Sequence, residues 1–153
     1  MAGKEVEKLL VDYAKAQGLV DDAQTEAAAD EGNYLILKSG TRIRFGSEPD
    51  VECRNRRNEL VCVVEIKGSA DAAGAQTRLG ETKKSFTKAK RENTRCVTVY
   101  LPSVMTRAVE EQLKTERDID KIFSLPEICS DEGKRAEFLT ELFRFILREK
   151  VQG

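Results

Sequence analysis

Histidine and tryptophan are both missing from this chain of 153 residues. Without an imidazole there is no serine or cysteine triad, no histidine general base and no His-ligated zinc. An excess of one charge is missing too: 26 basic side chains face 27 acidic ones, which excludes a polybasic arm, a histone-like protein or an acidic tail. No apolar run approaches the roughly 18 residues of a membrane span, and the opening Met-Ala-Gly-Lys-Glu-Val-Glu is charged where a signal peptide would be apolar. These features predict a cytoplasmic protein without membrane partners. The four cysteines, Cys53, Cys62, Cys96 and Cys129, form no C-x-x-C pair, so zinc ribbons and thioredoxin-like centres lack their spacing. They read as reduced, mostly buried thiols.

What is present suits one compact domain over residues 1–153, because a chain of this length hides roughly 68 to 70% of its surface without a metal or disulfide staple. Val6, Leu9, Leu10, Tyr13 and Gln17 share one face of a helix from about Lys4 to Gln17, stopped by Gly18. The polar stretch Val20 to Gly32 is either a loop or a weak second helix. The period then changes. Tyr34–Leu37, a Ser39-Gly40 turn and Thr41–Phe45 read as a hairpin, and Val51–Cys53 and Leu60–Ile66 continue as strands. Ala75, Leu79, Thr82, Phe86 and Ala89 form a narrow helical stripe between about Ala72 and Asn93. Cys96–Leu101, ended by Pro102, reads as a buried strand. Helices are expected over about Ser103 to Thr115 and Asp131 to Lys150, with an irregular link around Pro126. The order is helix, three strands, helix, strand, then helices: an α/β fold around a mixed sheet, with a core at about 3–101 and a C-terminal helical extension at about 103–150.

Charge is uneven along this order. Residues 34–67 hold 7 basic and 5 acidic side chains and residues 68–95 hold 7 and 3, against 3 and 8 in residues 1–33 and 9 and 11 in residues 96–153. The positive excess lies on the central strands and the following helix, where an anionic ligand is expected, although a solvated helix face accounts for the same numbers.

The informative feature is Pro49-Asp50 followed by Glu65-Ile66-Lys67 at the end of an apolar strand. Alternate residues of a strand share a face, so Glu65 and Lys67 point the same way. A hairpin turn centred between Arg57 and Asn58 sets Asp50 opposite Glu65, with Val51 opposite Val64 and Cys53 opposite Cys62 on the other face. One bulge would spoil that register. Two carboxylates this close repel, and a hard divalent cation resolves the conflict. Magnesium suits oxygen ligands and retains waters and substrate phosphates in its shell. A charged lysine is no ligand, but it can orient an attacking water or steady negative charge growing on phosphorus. Two acids and a base without histidine suit metal-assisted phosphodiester hydrolysis. An ion-pair ladder on neighbouring strands is the bland rival.

With Pro49-Asp50...Glu65-Ile66-Lys67, the element order and the opening Gly3-Lys4-Glu5-Val6-Glu7, the chain resembles the PD-(D/E)XK nuclease superfamily over roughly Gly3 to Leu101. Through Glu65-Ile66-Lys67-Gly68, Asp71-Ala72-Ala73-Gly74-Ala75 and Lys83-Lys84-Ser85-Phe86 it is most similar to XcyI-like type II restriction endonucleases. The resemblance implies a restriction-endonuclease-like αβββαβ core and a DNA endonuclease using magnesium, with manganese as a substitute and no organic cofactor. It implies Asp50 and Glu65 as metal ligands, joined by the Ile66 carbonyl, Lys67 in the active site and Glu7 completing the acidic cluster. Glu7 on its own reads equally as a solvated carboxylate near a helix N-terminus. A non-catalytic DNA-binding or assembly module with this fold is the alternative function.

Gln76 and Lys83 flank the Leu79 stripe on one side and are expected to look toward the carboxylates, Gln76 with a role in catalysis. Lys83, Lys84 and Lys88 are candidate phosphate contacts, which position DNA without reading it. Arg54, Arg56 and Arg57 at the hairpin turn are candidates to reach a groove. On the last helix Phe138 and Phe145 widen the apolar arc beyond Leu139, Leu142, Phe143 and Ile146. That width fits a homodimer, which would supply two active sites for a palindromic cut, as well as it fits a buried terminal helix.

Overall fold

A computed structural model describes residues 2–67 and 72–152. Helix α1 (Ala2–Ala16) buries Val6, Leu10 and Ala14 on one face, and the chain leaves it through Gly18 at φ +68°. The undecided stretch contains a short helix, α2 (Asp22–Ala27), whose N-cap Asp21 accepts from the Gln24 N–H. Strands β1 (Asn33–Ile36), β2 (Arg42–Phe45), β3 (Val51–Arg54) and β4 (Leu60–Lys67) follow, then α3 (Ala72–Glu92) and β5 (Val97–Pro102). The chain ends in α4 (Arg107–Lys114), a two-residue β6 (Lys121–Ile122), α5 (Leu125–Ser130), α6 (Glu132–Thr140) and a π-helical segment, Glu141–Ile146.

Among the described residues the sheet has six strands in chain order. β1 to β4 pair antiparallel and β4, β5 and β6 pair parallel, so the sheet is mixed and the fold α/β and restriction-endonuclease-like, as expected. The αβββαβ core is α1, β2–β4, α3 and β5, while β1 and β6 extend the sheet at its two edges.

Strand alternation sends side chains into two cores. Ile43, Phe45, Val51, Cys53, Cys62, Val64 and Ile66 meet α1 and the C-terminal helices, where Tyr13 packs on Phe143 with ring centroids 4.9 Å apart. On the opposite face Val63 and Tyr100 meet Leu79, Phe86 and Ala89 of α3. Each such large side chain contributes roughly 1.5–3 kcal/mol by leaving water. The face that carries Glu65 is therefore not a polar surface but a second apolar core, with the acidic site at its end.

The β3–β4 register is as expected near the site, with Val51 opposite Val64 and Cys53 opposite Cys62. It slips at the turn, where Arg54 pairs with Leu60, so Val61 is an extra residue on β4. The turn is thus shifted from the expected centre, and Leu60 rotates into the α3 core beside Val63. That turn packs on the β1–β2 turn at Gly40. Gly40 has φ +97°, and a Cβ there would sit 2.7 Å from Cβ of Arg56. Gly40→Ala is accordingly expected to lower stability by about 1–3 kcal/mol, read as a shift of the urea midpoint at constant slope.

Beyond β5 the helices are shorter and more broken than their apolar spacing predicts. Thr106 caps α4 through the Val109 N–H, so the helix starts later than Ser103. The single helix expected from Asp131 to Lys150 is α6 followed by the π-helical segment. Phe138 is buried rather than part of a second surface, and of the two flanking aromatics only Phe145 is exposed. Cys53, Cys62 and Cys96 are buried and Cys129 half-buried, all four unbridged. Among the described residues no helix is long and apolar enough to cross a membrane.

Candidate active site

Asp50 stands at the entry to β3 and Glu65 near the end of β4, and the two residues hold each other through the backbone. The Asp50 N–H donates to Oε1 of Glu65 at 3.2 Å, and the Ile66 N–H donates to Oδ2 of Asp50 at 2.6 Å. This pair of bonds fixes both carboxylates before any ligand arrives. Glu65 is 2% exposed. Burial, and next the Asp50 carboxylate, push its pKa up to about 7, against the opposing pull of Lys67. Lys67, two residues on and on the same face, places Nζ 3.9 Å from Oε2 of Glu65 and 3.7 Å from Oε2 of Glu81 on α3.

Two neighbours of this site escaped the sequence reading. Glu81 lies only two residues from the buried Leu79, and nothing local marks it as Lys67's second acidic partner; the placement of α3 makes it so. Tyr100 is opposite Glu65 in the parallel β4–β5 register and is 1% exposed. Burial pushes its hydroxyl up to about 12, with the Glu65 charge adding to the shift, so it stays protonated as a wall of the site.

The other expected residues divide. Glu7 shares with Asp50 a cavity of about 330 Å³ that Asn33, Phe45 and Ile66 also line. Its carboxylate is already engaged, accepting from Nδ2 of Asn33 at 3.1 Å and lying 3.6 Å from Nζ of Lys4. Among the described residues no three Asp, Glu, Cys or His side chains stand close enough to hold one metal, so the expected completion of the acidic cluster by Glu7 is not formed. Glu5, on the other flank of α1, accepts from Sγ of Cys129. Lys83 does not look toward the carboxylates: its Nζ lies 3.0 Å from Glu116. The Gln76 side chain falls outside the described residues. Lys84 and Lys88 are exposed on α3, and Arg56 and Arg57 are exposed at the β3–β4 turn. Arg54 is held between Glu92 at 2.7 Å and Glu52 at 3.4 Å, because the sheet brings it alongside the end of α3.

A family model described as XcyI restriction endonuclease matches residues 23–137, most of the chain. The chain belongs to the XcyI restriction endonuclease family. The match takes in β1 through most of α6, with Asp50, Glu65 and Lys67 inside it and Glu7 outside. Neither the curated proteins nor the solved structures contain a match. Membership in the XcyI family places the chain among DNA endonucleases, hydrolases of the phosphodiester bond whose family generally uses divalent metals.

Proposed function

We propose that this XcyI-family chain hydrolyses DNA with magnesium, and that Asp50, Glu65 and Lys67 carry the reaction. The observation that supports this most is the pair of hydrogen bonds that ties Asp50 to the Glu65 carboxyl group and to the Ile66 amide at the strand end, with Lys67 on the same face. The donors fit a hard divalent ion: two carboxylates, one of them buried and held protonated up to about neutral pH by its surroundings, gain a counter-charge that Lys67 alone does not supply. Asp50 and Glu65 would hold it, together with the Ile66 carbonyl. When bound, magnesium stabilises charge on the phosphate oxygens and makes water more acidic.

The chain's own side chains divide the remaining work. Asp50, anchored on the Ile66 amide, is held beside the Glu65 carboxyl group. Lys67 donates a hydrogen bond to the attacking water and steadies the charge that grows on the non-bridging phosphate oxygens. Glu81 restrains the Lys67 ammonium from the α3 side. Cutting both strands needs two such sites, which a two-fold pair of chains would provide.

Supercoiled plasmid incubated with the protein in Mg²⁺, Mn²⁺ or EDTA tests the proposal. Nicked and linear forms are expected with either metal and none with EDTA. Salt-sensitive DNA binding without scission in any metal would leave instead a non-catalytic module with a nuclease fold.

A further inference from the structure

We infer that the face of β1–β3 opposite α1 is a groove that carries the DNA backbone to the carboxylates, with Glu52 as a built-in counter-ion that phosphate displaces. This rests on the reading that the chain acts on DNA. On these strands Ile43, Phe45, Val51 and Cys53 face the α1 core, so Arg42, Arg44, Glu52 and Arg54 project from the other side. α3 packs across β4 and β5 and leaves these four side chains partly exposed.

The result is a concave surface rather than a flat one. One cavity of about 330 Å³ is lined by Arg42, Arg44, Arg54 and Arg56 with Tyr34, and Glu52 is the single acid on its wall. A second, of about 240 Å³, shares Arg44, Glu52 and Arg54 with the first and runs on past Lys88 and Glu92 of α3 to Glu48 and Pro49, next to Asp50, so the positive excess lies in the first cavity and the second is balanced in charge. From Arg54 to Asp50 along β3 is four residues of extended chain, about 13 Å. The groove therefore leads along the sheet toward the scissile position over the span of a few nucleotides.

Its charge arrangement points to a polyanion. Arg44 and Arg54 both pair with Glu52, at 3.3 and 3.4 Å, and Glu92 of α3 holds Arg54 from its other side at 2.7 Å, so Glu52 is the carboxylate the two guanidinium groups share. Arg42 lies 4.9 Å from the centroid of the Tyr34 ring, which steadies the guanidinium without neutralising it, and its carboxylate partner Glu31 is 69% exposed. Fork-shaped guanidinium groups that face an open groove suit bidentate contacts with phosphate oxygens.

The test reads binding and scission separately. Anisotropy of a labelled DNA duplex is followed in EDTA over a salt series for wild type, the double variant Arg42→Gln/Arg44→Gln, and Glu52→Gln, each checked for an unchanged melting transition. The double variant is expected to bind about tenfold or more weakly, with the slope of log K against log salt reduced by about two. Glu52→Gln is expected to bind several-fold more tightly, a gain that a structural role for the ion pair would not produce. Unchanged affinity and slope in the double variant, or weaker binding by Glu52→Gln, overturn the groove, as does a wild type that binds no duplex. Plasmid scission in Mg²⁺ is scored on the same wild-type protein. The expected binding pattern without scission would sink the nuclease proposal and leave the groove standing.

Discussion

Lys67→Ala loses DNA scission by about three orders of magnitude while its duplex affinity stays within a few-fold of wild type. The ammonium is the only cation that the structure sets against both Glu65 and the mouth of the site, at 3.9 Å from the carboxylate, among the described residues. A donor aimed at charge that develops only in the transition state acts on the rate and not on ground-state binding, and removing one costs about 10²–10³. Loss of help to the attacking water adds to that figure. The comparison belongs at alkaline pH and saturating Mg²⁺. Lys67 opposes the upward shift of Glu65, so removing it leaves Glu65 more readily protonated near neutrality. At pH 8.5 that titration contributes least, and single-turnover scission reports chiefly the lysine itself. Asp50→Ala is expected to lose scission as severely and in addition to weaken metal binding, because it removes the proposed ligand and the acceptor of the Ile66 N–H together. Scission by Lys67→Ala within tenfold of wild type at pH 8.5 would remove Lys67 from the chemistry.

The core of this site was legible in sequence because period two is strict. An apolar run from Leu60 to Val64 that ends in Glu65 can place Glu65 and Lys67 together only on one face, and the Val51–Val64 and Cys53–Cys62 pairs follow once β3 turns its apolar residues inward. The Val61 bulge left no mark of its own in the chain. It falls on the turn side of Cys53, so the slip it introduces does not reach Asp50. What stayed hidden depends on elements far apart in sequence. Glu81 reaches Lys67, Lys83 reaches Glu116 and Arg54 reaches Glu92 only because of where α3 lies, and helical periodicity cannot supply that placement. The same holds for Glu7, whose helix brings it to the Asp50 cavity but whose carboxylate is taken by Asn33. β6 and α5 are too short for a period to show, and β6 is led into place by hydrogen bonds such as those from the Thr98 hydroxyl to the Asp118 carbonyl and Asp120 carboxylate.

Glu65→Gln makes the metal-free protein more stable at pH 8 even as it removes scission. The sign follows from the raised pKa. Between the ordinary carboxyl value of 4.5 and the folded value of about 7, the native state holds a proton on Glu65 that the unfolded chain has released, so native stability falls as pH rises through that window. The loss is complete above about pH 7 and amounts to at most about 3 kcal/mol for one group shifted this far. A glutamine keeps the oxygen that accepts from the Asp50 N–H and places an amide donor where the two carboxylates repel, so it removes the charge without orphaning a buried partner. Urea titrations in EDTA from pH 4.5 to 8.5 are therefore expected to show the variant overtaking wild type as pH rises, with a flatter dependence on pH. Adding Mg²⁺ is expected to raise the wild-type midpoint at pH 8 and to leave the variant nearly unmoved, because a ligand that binds only the native state stabilises it in proportion to its affinity. Burial alone raises the pKa of a carboxyl and accounts for the first result. The second requires that the burial serve a cation, and equal Mg²⁺ stabilisation of the two proteins would detach the metal from Glu65.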